Sequence, residues 1–101
     1  MNASSFVQLV DFTTDRPDEV HRLIGEWLTA TKGRRTVTAA TVCAVGQEPG
    51  RYISIVEFPT EEDARVNSGL PETDALARQL AETCERISYI DLHTYECLLV
   101  G

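Results

Sequence analysis

The chain has 101 residues, 43% of them hydrophobic and 25% charged, a composition that suits a globular domain and excludes a disordered one. Nine Lys and Arg against sixteen Asp and Glu leave a net charge of −7, which repels phosphate backbones and anionic lipid and argues against nucleic-acid and membrane partners. Cys43, Cys84 and Cys97 are widely spaced and form neither a CxxC pair nor a metal-ligand pattern with His21 and His93.

The first strand reads from Phe6 to Phe12. Phe6, Gln8, Val10 and Phe12 share one face, and Val7 and Leu9 point the other way. A helix follows, with Asp15 as its expected cap, Pro17 in its first turn, and Asp18 and Glu19 at its positive end. Val20, Leu23, Ile24, Trp27 and Leu28 recur at helical spacing, and Gly33 is placed to end the helix with positive φ. Lys32, Arg34 and Arg35 fall at that end, where cations complement free carbonyls, and read as helix-end charges rather than an anion site. Asp18–Arg22 and Asp74–Arg78 have i, i+4 spacing and read as solvated helix surface.

Thr36 to Val45 reads as the second strand, 46–50 as a turn, and Arg51 to Phe58 as the third strand of a hairpin. Pro59 closes that strand, and Thr60 caps a second helix with Asp63 three residues on. Ser68-Gly69-Leu70-Pro71 interrupts this helix. A new segment from about Glu72 to Arg86 then carries Thr73, Leu76, Ala77, Leu80, Cys84 and Ile87 on one stripe. Ser88 to Val100 reads as the last strand.

This order, β-α-β-β-α-β, predicts one α+β domain over 1–101: a ferredoxin-like antiparallel sheet with its helices on one face. In a monomer the bare face should be polar. Instead Val7, Leu9, Ile53, Ile55, Ile90 and Leu92 gather there, a patch rare on soluble monomers. Burying each contributes roughly 1.5–3 kcal/mol, so a sheet-to-sheet homodimer is predicted. Cys97, Leu98, Leu99 and Val100 are apolar on both faces, so the last strand is expected to be buried on both sides or to extend onto the partner. The start lacks a basic and apolar leader and no apolar run nears the roughly 20 residues of a membrane span, so a reducing cytoplasm is the expected location.

The run RYISIVEFPTEEDA from Arg51 to Ala64, a strand ending in an aromatic and entering an acidic helix start, carries a family resemblance, as does the break NSGLPET from Asn67 to Thr73. With the element order, it resembles the dimeric α+β barrel superfamily and especially its antibiotic-biosynthesis-monooxygenase-like branch. The resemblance implies two sheets paired into a barrel, with a small-molecule pocket between helices and sheet in each subunit. Members include cofactor-independent oxygenases of aromatic polyketides, haem-degrading enzymes, isomerases and polyketide cyclases, so fold leaves function open. Haem-degrading members use an Asn on the first strand and a Trp and a His on the second helix. Here the first strand has Gln8 and the second helix has neither residue, so haem is disfavoured and no cofactor is expected.

With the Phe58 face taken as the helix side, Gln8, Tyr52, Ser54, Asp91, His93 and Tyr95 converge with Trp27 among apolar residues, the usual form of a ligand site. His93 is the candidate base, able to take a proton from a phenol or an acidic carbon near neutral pH; its plainer reading is a hydrogen-bonded core histidine. Asp91 is placed to orient it, although same-face neighbours on a strand stand about 7 Å apart. Tyr52 and Tyr95 are candidate oxyanion donors, and Gln8, Trp27, Ser54 and Asp91 candidate substrate contacts; amphipathic packing is the plain reading of the tyrosines and Trp27. The expected function is a cofactor-independent monooxygenase of aromatic or polyketide-like substrates. The alternatives are a non-catalytic ligand-binding or accessory dimer, or a polyketide-cyclase-like enzyme with His93 as base. No glycine-rich loop, metal cluster or nucleophilic triad decides among them.

Overall fold

Alternating side chains of β1 (Phe6–Thr13) put Phe6, Gln8, Val10 and Phe12 on one side, and hydrogen bonding extends that side across the sheet. In the computed structural model, which describes residues 6–101, β1 is followed by α1 (Pro17–Ala30), β2 (Ala39–Ala44), β3 (Arg51–Phe58), α2 (Glu61–Ser68), α3 (Pro71–Thr83) and β4 (Arg86–His93). The strands lie in the order β2-β3-β1-β4 and every pair is antiparallel, the expected ferredoxin-like arrangement. Phe6 stands opposite Phe58 and His93, Gln8 opposite Val56 and Asp91, Val10 opposite Ser54 and Tyr89, and Phe12 opposite Tyr52 and Ile87.

The helices cover that face. Phe6 and Phe58 pack with Ala64 of α2, while Phe12 packs with Val20 of α1 and with Cys84 just beyond α3. Burial pushes the Cys84 thiol up, away from the thiolate that a nucleophile needs. The other face holds Val7, Leu9, Ile53, Ile55, Ile90 and Leu92 with no helix over it; Ile90 and Leu92 are 48% and 42% exposed. At one end of this face Arg51 grips Asp11 with both carboxylate oxygens, Nε to Oδ1 at 3.0 Å and Nη2 to Oδ2 at 2.7 Å, and its Nη1 reaches Glu48. No helix among the described residues is long and apolar enough to cross a membrane.

Several element boundaries differ from the sequence reading, each for a local reason. The last strand ends at His93 rather than Val100, and among the described residues its pairing with β1 ends where His93 meets Phe6. Residues 94–101 continue without regular structure, leaving Tyr95, Leu98, Leu99 and Val100 at 99%, 71%, 96% and 93% exposure. Asp15 is exposed and does not cap α1; the Thr14 hydroxyl instead accepts from the Arg16 amide at 3.0 Å, and Pro17 opens the helix. The second strand starts at Ala39: the Thr36 hydroxyl donates to the Asp63 carbonyl of α2, while the Thr38 amide and hydroxyl still reach β3, both donating to the Glu57 carbonyl. The interrupted second helix resolves into α2 and α3, and Thr60 caps α2 by accepting from the Asp63 amide at 3.1 Å. Arg22 pairs with Glu19 and Glu26 rather than with Asp18. The basic group after α1 meets helix carbonyls, Arg34 at Ala30 and Arg35 at Leu28, while Arg34 also bridges to Glu72 of α3.

Candidate functional site

Between the helices and the covered face of the sheet lies a cavity of about 160 Å³, partly open to solvent. Its floor is Gln8, Val10 and Phe12 of β1, Ser54, Val56 and Phe58 of β3, Ala40 of β2, and Ile87 and Tyr89 of β4. Val20, Ile24 and Trp27 of α1 roof it, with Asn67 of α2 and Thr73, Leu76, Ala77 and Leu80 of α3. An apolar cavity of about 150 Å³ is known to hold benzene, so this volume suits one aromatic ring.

The polar groups on these walls are few, and Gln8, Trp27 and Thr73 are engaged. Trp27 donates Nε1–H to the Thr73 hydroxyl at 2.9 Å, tying α1 to α3 across the roof. Gln8 donates Nε2–H to Asp91 Oδ1 at 3.0 Å. Ser54 is 9% exposed. Burial raises the pKa of the Tyr89 phenol above its ordinary value, so at neutral pH it remains a hydrogen-bond donor. Asn67 is different. It is 6% exposed, and its Oδ1 has no hydrogen-bond partner among the described residues. A buried acceptor left unpaired costs about 1–3 kcal/mol, a cost that a bound donor would remove.

The sequence-derived candidates divide. Gln8, Trp27 and Ser54 line the cavity. Tyr52 does not; it stacks on Phe12 with ring centroids 5.4 Å apart and lines an adjoining void of about 130 Å³ with Phe12, Pro17, Val20, His21, Ile24 and Val42. Asp91 contacts the cavity only through Gln8. His93 sits outside, edge-on to the Phe6 ring at 5.1 Å and 4.0 Å from Glu61 Oε2, with its side chain 66% exposed. Tyr95 lies beyond β4 and is almost wholly exposed, so the pocket face that strand alternation had assigned to it does not exist there. Asn67, Thr73 and Tyr89 were not among the candidates. Asn67 had a readable signal: it follows Ala64 by three residues, so the inner side of a two-turn helix carries an amide.

No protein-family model matches the chain, and no curated protein does. Solved structures do match in fold. A variant of SnoaB, a cofactor-independent oxygenase from Streptomyces nogalater, is 13% identical, with 95% of this chain and 98% of that one covered at a TM-score of 0.79. Rv0793 from Mycobacterium tuberculosis is 14% identical, covering 92% and 97% of the two chains at 0.74. An antibiotic biosynthesis monooxygenase is 16% identical, covering 90% and 98% at 0.69. At these identities the likeness is one of fold.

Proposed function

Starting from the fold that this chain shares with the antibiotic biosynthesis monooxygenases, we propose that it is a homodimeric, cofactor-independent monooxygenase of a small hydroxylated aromatic molecule. The observation that carries this reading is the apolar, ring-sized cavity, with Asn67, whose buried Oδ1 is unpaired, among its lining residues. A small aromatic ring suits those walls, and a phenolic hydroxyl is the simplest donor that the Asn67 amide could turn to meet. The walls desolvate the ring, and Tyr89 supplies a donor for oxygen charge that develops during reaction.

In the reaction, a phenol and O2 give a quinone and water. The ring supplies all four electrons, one oxygen atom is retained, the other leaves with two protons, and no outside reductant enters the balance. The homodimer rests on the aliphatic face opposite the cavity, which no helix among the described residues covers. The cyclase-like reading requires His93 beside the ligand, whereas His93 is not among the residues lining the cavity and its side chain is 66% exposed.

Trp27 is the only tryptophan and lines the cavity, so its fluorescence reports occupancy. Asn67→Ala is expected to weaken phenol binding about five- to tenfold, the size of one hydrogen bond, while binding of anisole, which has no donor, stays the same. Equal phenol affinity in both proteins would remove Asn67 from the site. O2 consumption by a bound phenol without peroxide release supports the oxygenase; binding without consumption supports the non-catalytic dimer.

A further inference from the structure

The cavity and its smaller neighbour share three wall residues, Phe12, Val20 and Ile24, so the two voids abut along one line of side chains from β1 and α1. We propose that they form one bipartite site for a linear two-ring aromatic molecule: the inner void takes the hydroxylated ring, and the outer void takes a second ring whose oxygen substituent meets Tyr52 and His21. This rests on the functional reading above and adds the length and outer-end chemistry of the ligand.

Size is the first argument. The voids measure about 160 and 130 Å³, each near the volume that holds a single benzene ring. Two ring-sized spaces side by side, with three wall residues in common, fit a molecule that is itself narrow between two rings. Span is the second. Val56 of the inner void and Tyr52 of the outer one are four residues apart on β3, about 13 Å at a strand's rise, longer than one ring fills. Surface character is the third. Phe12 and Tyr52, stacked on each other with their planes 20° apart, both line the outer void and give its wall an aromatic character that favours another ring. The outer void ends in the chain's only polar groups on that wall, the Tyr52 hydroxyl and the His21 imidazole, the latter exposed toward solvent. A ligand oxygen there keeps a hydrogen bond at the mouth while both rings leave water.

Calorimetric titration of the full chain with phenol, para-phenylphenol and para,para′-dihydroxybiphenyl tests the proposal. Para-phenylphenol is expected to bind at least about tenfold tighter than phenol, as a second buried ring requires. The second hydroxyl should add about another fivefold, which Tyr52→Phe removes. Val42 lines only the outer void and is 51% exposed, so Val42→Trp fills that void from its rim. It should erase the advantage of para-phenylphenol and leave phenol within twofold. Tyr52→Phe deletes one oxygen atom and keeps the test standing if Val42→Trp disturbs folding. If phenol binds but para-phenylphenol binds no better, the outer void is not a subsite and the proposal falls while the one-ring site stands. If none of the three binds, the functional reading fails and this inference with it.

Discussion

Ile55→Asp is expected to turn the proposed homodimer into a folded monomer, with the dissociation constant raised at least about a thousandfold. Ile55 lies mid-strand on β3, with Leu9 of β1 opposite on one side and Thr41 of β2 on the other. Leu9 in turn faces Ile90 of β4, so Ile55 belongs to the middle of the aliphatic patch rather than its rim. Burial of each such side chain contributes roughly 1.5–3 kcal/mol, and an unpaired carboxylate in its place adds several kcal/mol of desolvation cost. Together these exceed the roughly 4 kcal/mol that a thousandfold change represents. The monomer tolerates the change because this face lies outside the core formed with the helices. Light scattering at micromolar concentration reads the mass, and circular dichroism checks the fold. A dimer that survives Ile55→Asp would place the interface elsewhere.

Phe58→Ala is expected to cost about 3–5 kcal/mol of stability, the range for deleting a buried aromatic side chain. Phe58 is 3% exposed, packs against Phe6 with ring centroids 6.2 Å apart, and joins β3 to Ala64 of α2. The void left behind would merge with the existing cavity, since Phe58 already forms part of its wall. In a domain whose whole stability is about 5–15 kcal/mol, such a loss is a large share. Denaturant unfolding at one fixed protein concentration should show a lower midpoint with an unchanged slope. Val66→Ala, at a 47% exposed position on the same helix side of the molecule, is the comparison and should shift the midpoint little. Equal midpoints for Phe58→Ala and the unsubstituted chain would contradict the packing described.

The sheet was legible in the sequence because its two faces are chemically distinct. Period-two alternation separated Phe6, Phe12 and Phe58 from Leu9, Ile55 and Ile90, and one residue of slip would have exchanged the sets. The helix break was legible from Gly69 and Pro71, which act on the backbone locally. Strand ends were less so. Thr36 and Val100 carry good strand side chains, but a strand continues only where a partner's amides and carbonyls continue, and that is a property of another segment. The site suffered from the same limit. His93 and Gln8 share a sheet face by alternation, yet His93 stands at the end of β4, edge-on to Phe6 and 4.0 Å from Glu61 of α2, so a shared face did not become a shared cavity. Asn67 is not legible as a site residue because an amide on a short helix is an ordinary surface residue until the helix's inner side is known.

The two-handed grip of Arg51 on Asp11 makes folding of this chain a proton-releasing reaction in acid. Arg51's hydrogen bonds hold the Asp11 carboxyl below the usual carboxylate range, and Arg22 and Arg34 do the same for Glu19 and Glu72. In the unfolded chain these groups take up protons near pH 4, while in the folded chain they resist until the pH is lower. Their contribution is therefore complete above that value and is lost as pH falls through the folded values. Tyr89 acts at the opposite end: its raised pKa makes the folded chain hold a proton that the unfolded chain surrenders above about pH 10. Denaturant midpoints should thus be level across neutral pH and decline on both sides. In Asp11→Asn the acid-side decline should become shallower, and an unchanged acid limb would show that the grip carries no proton linkage.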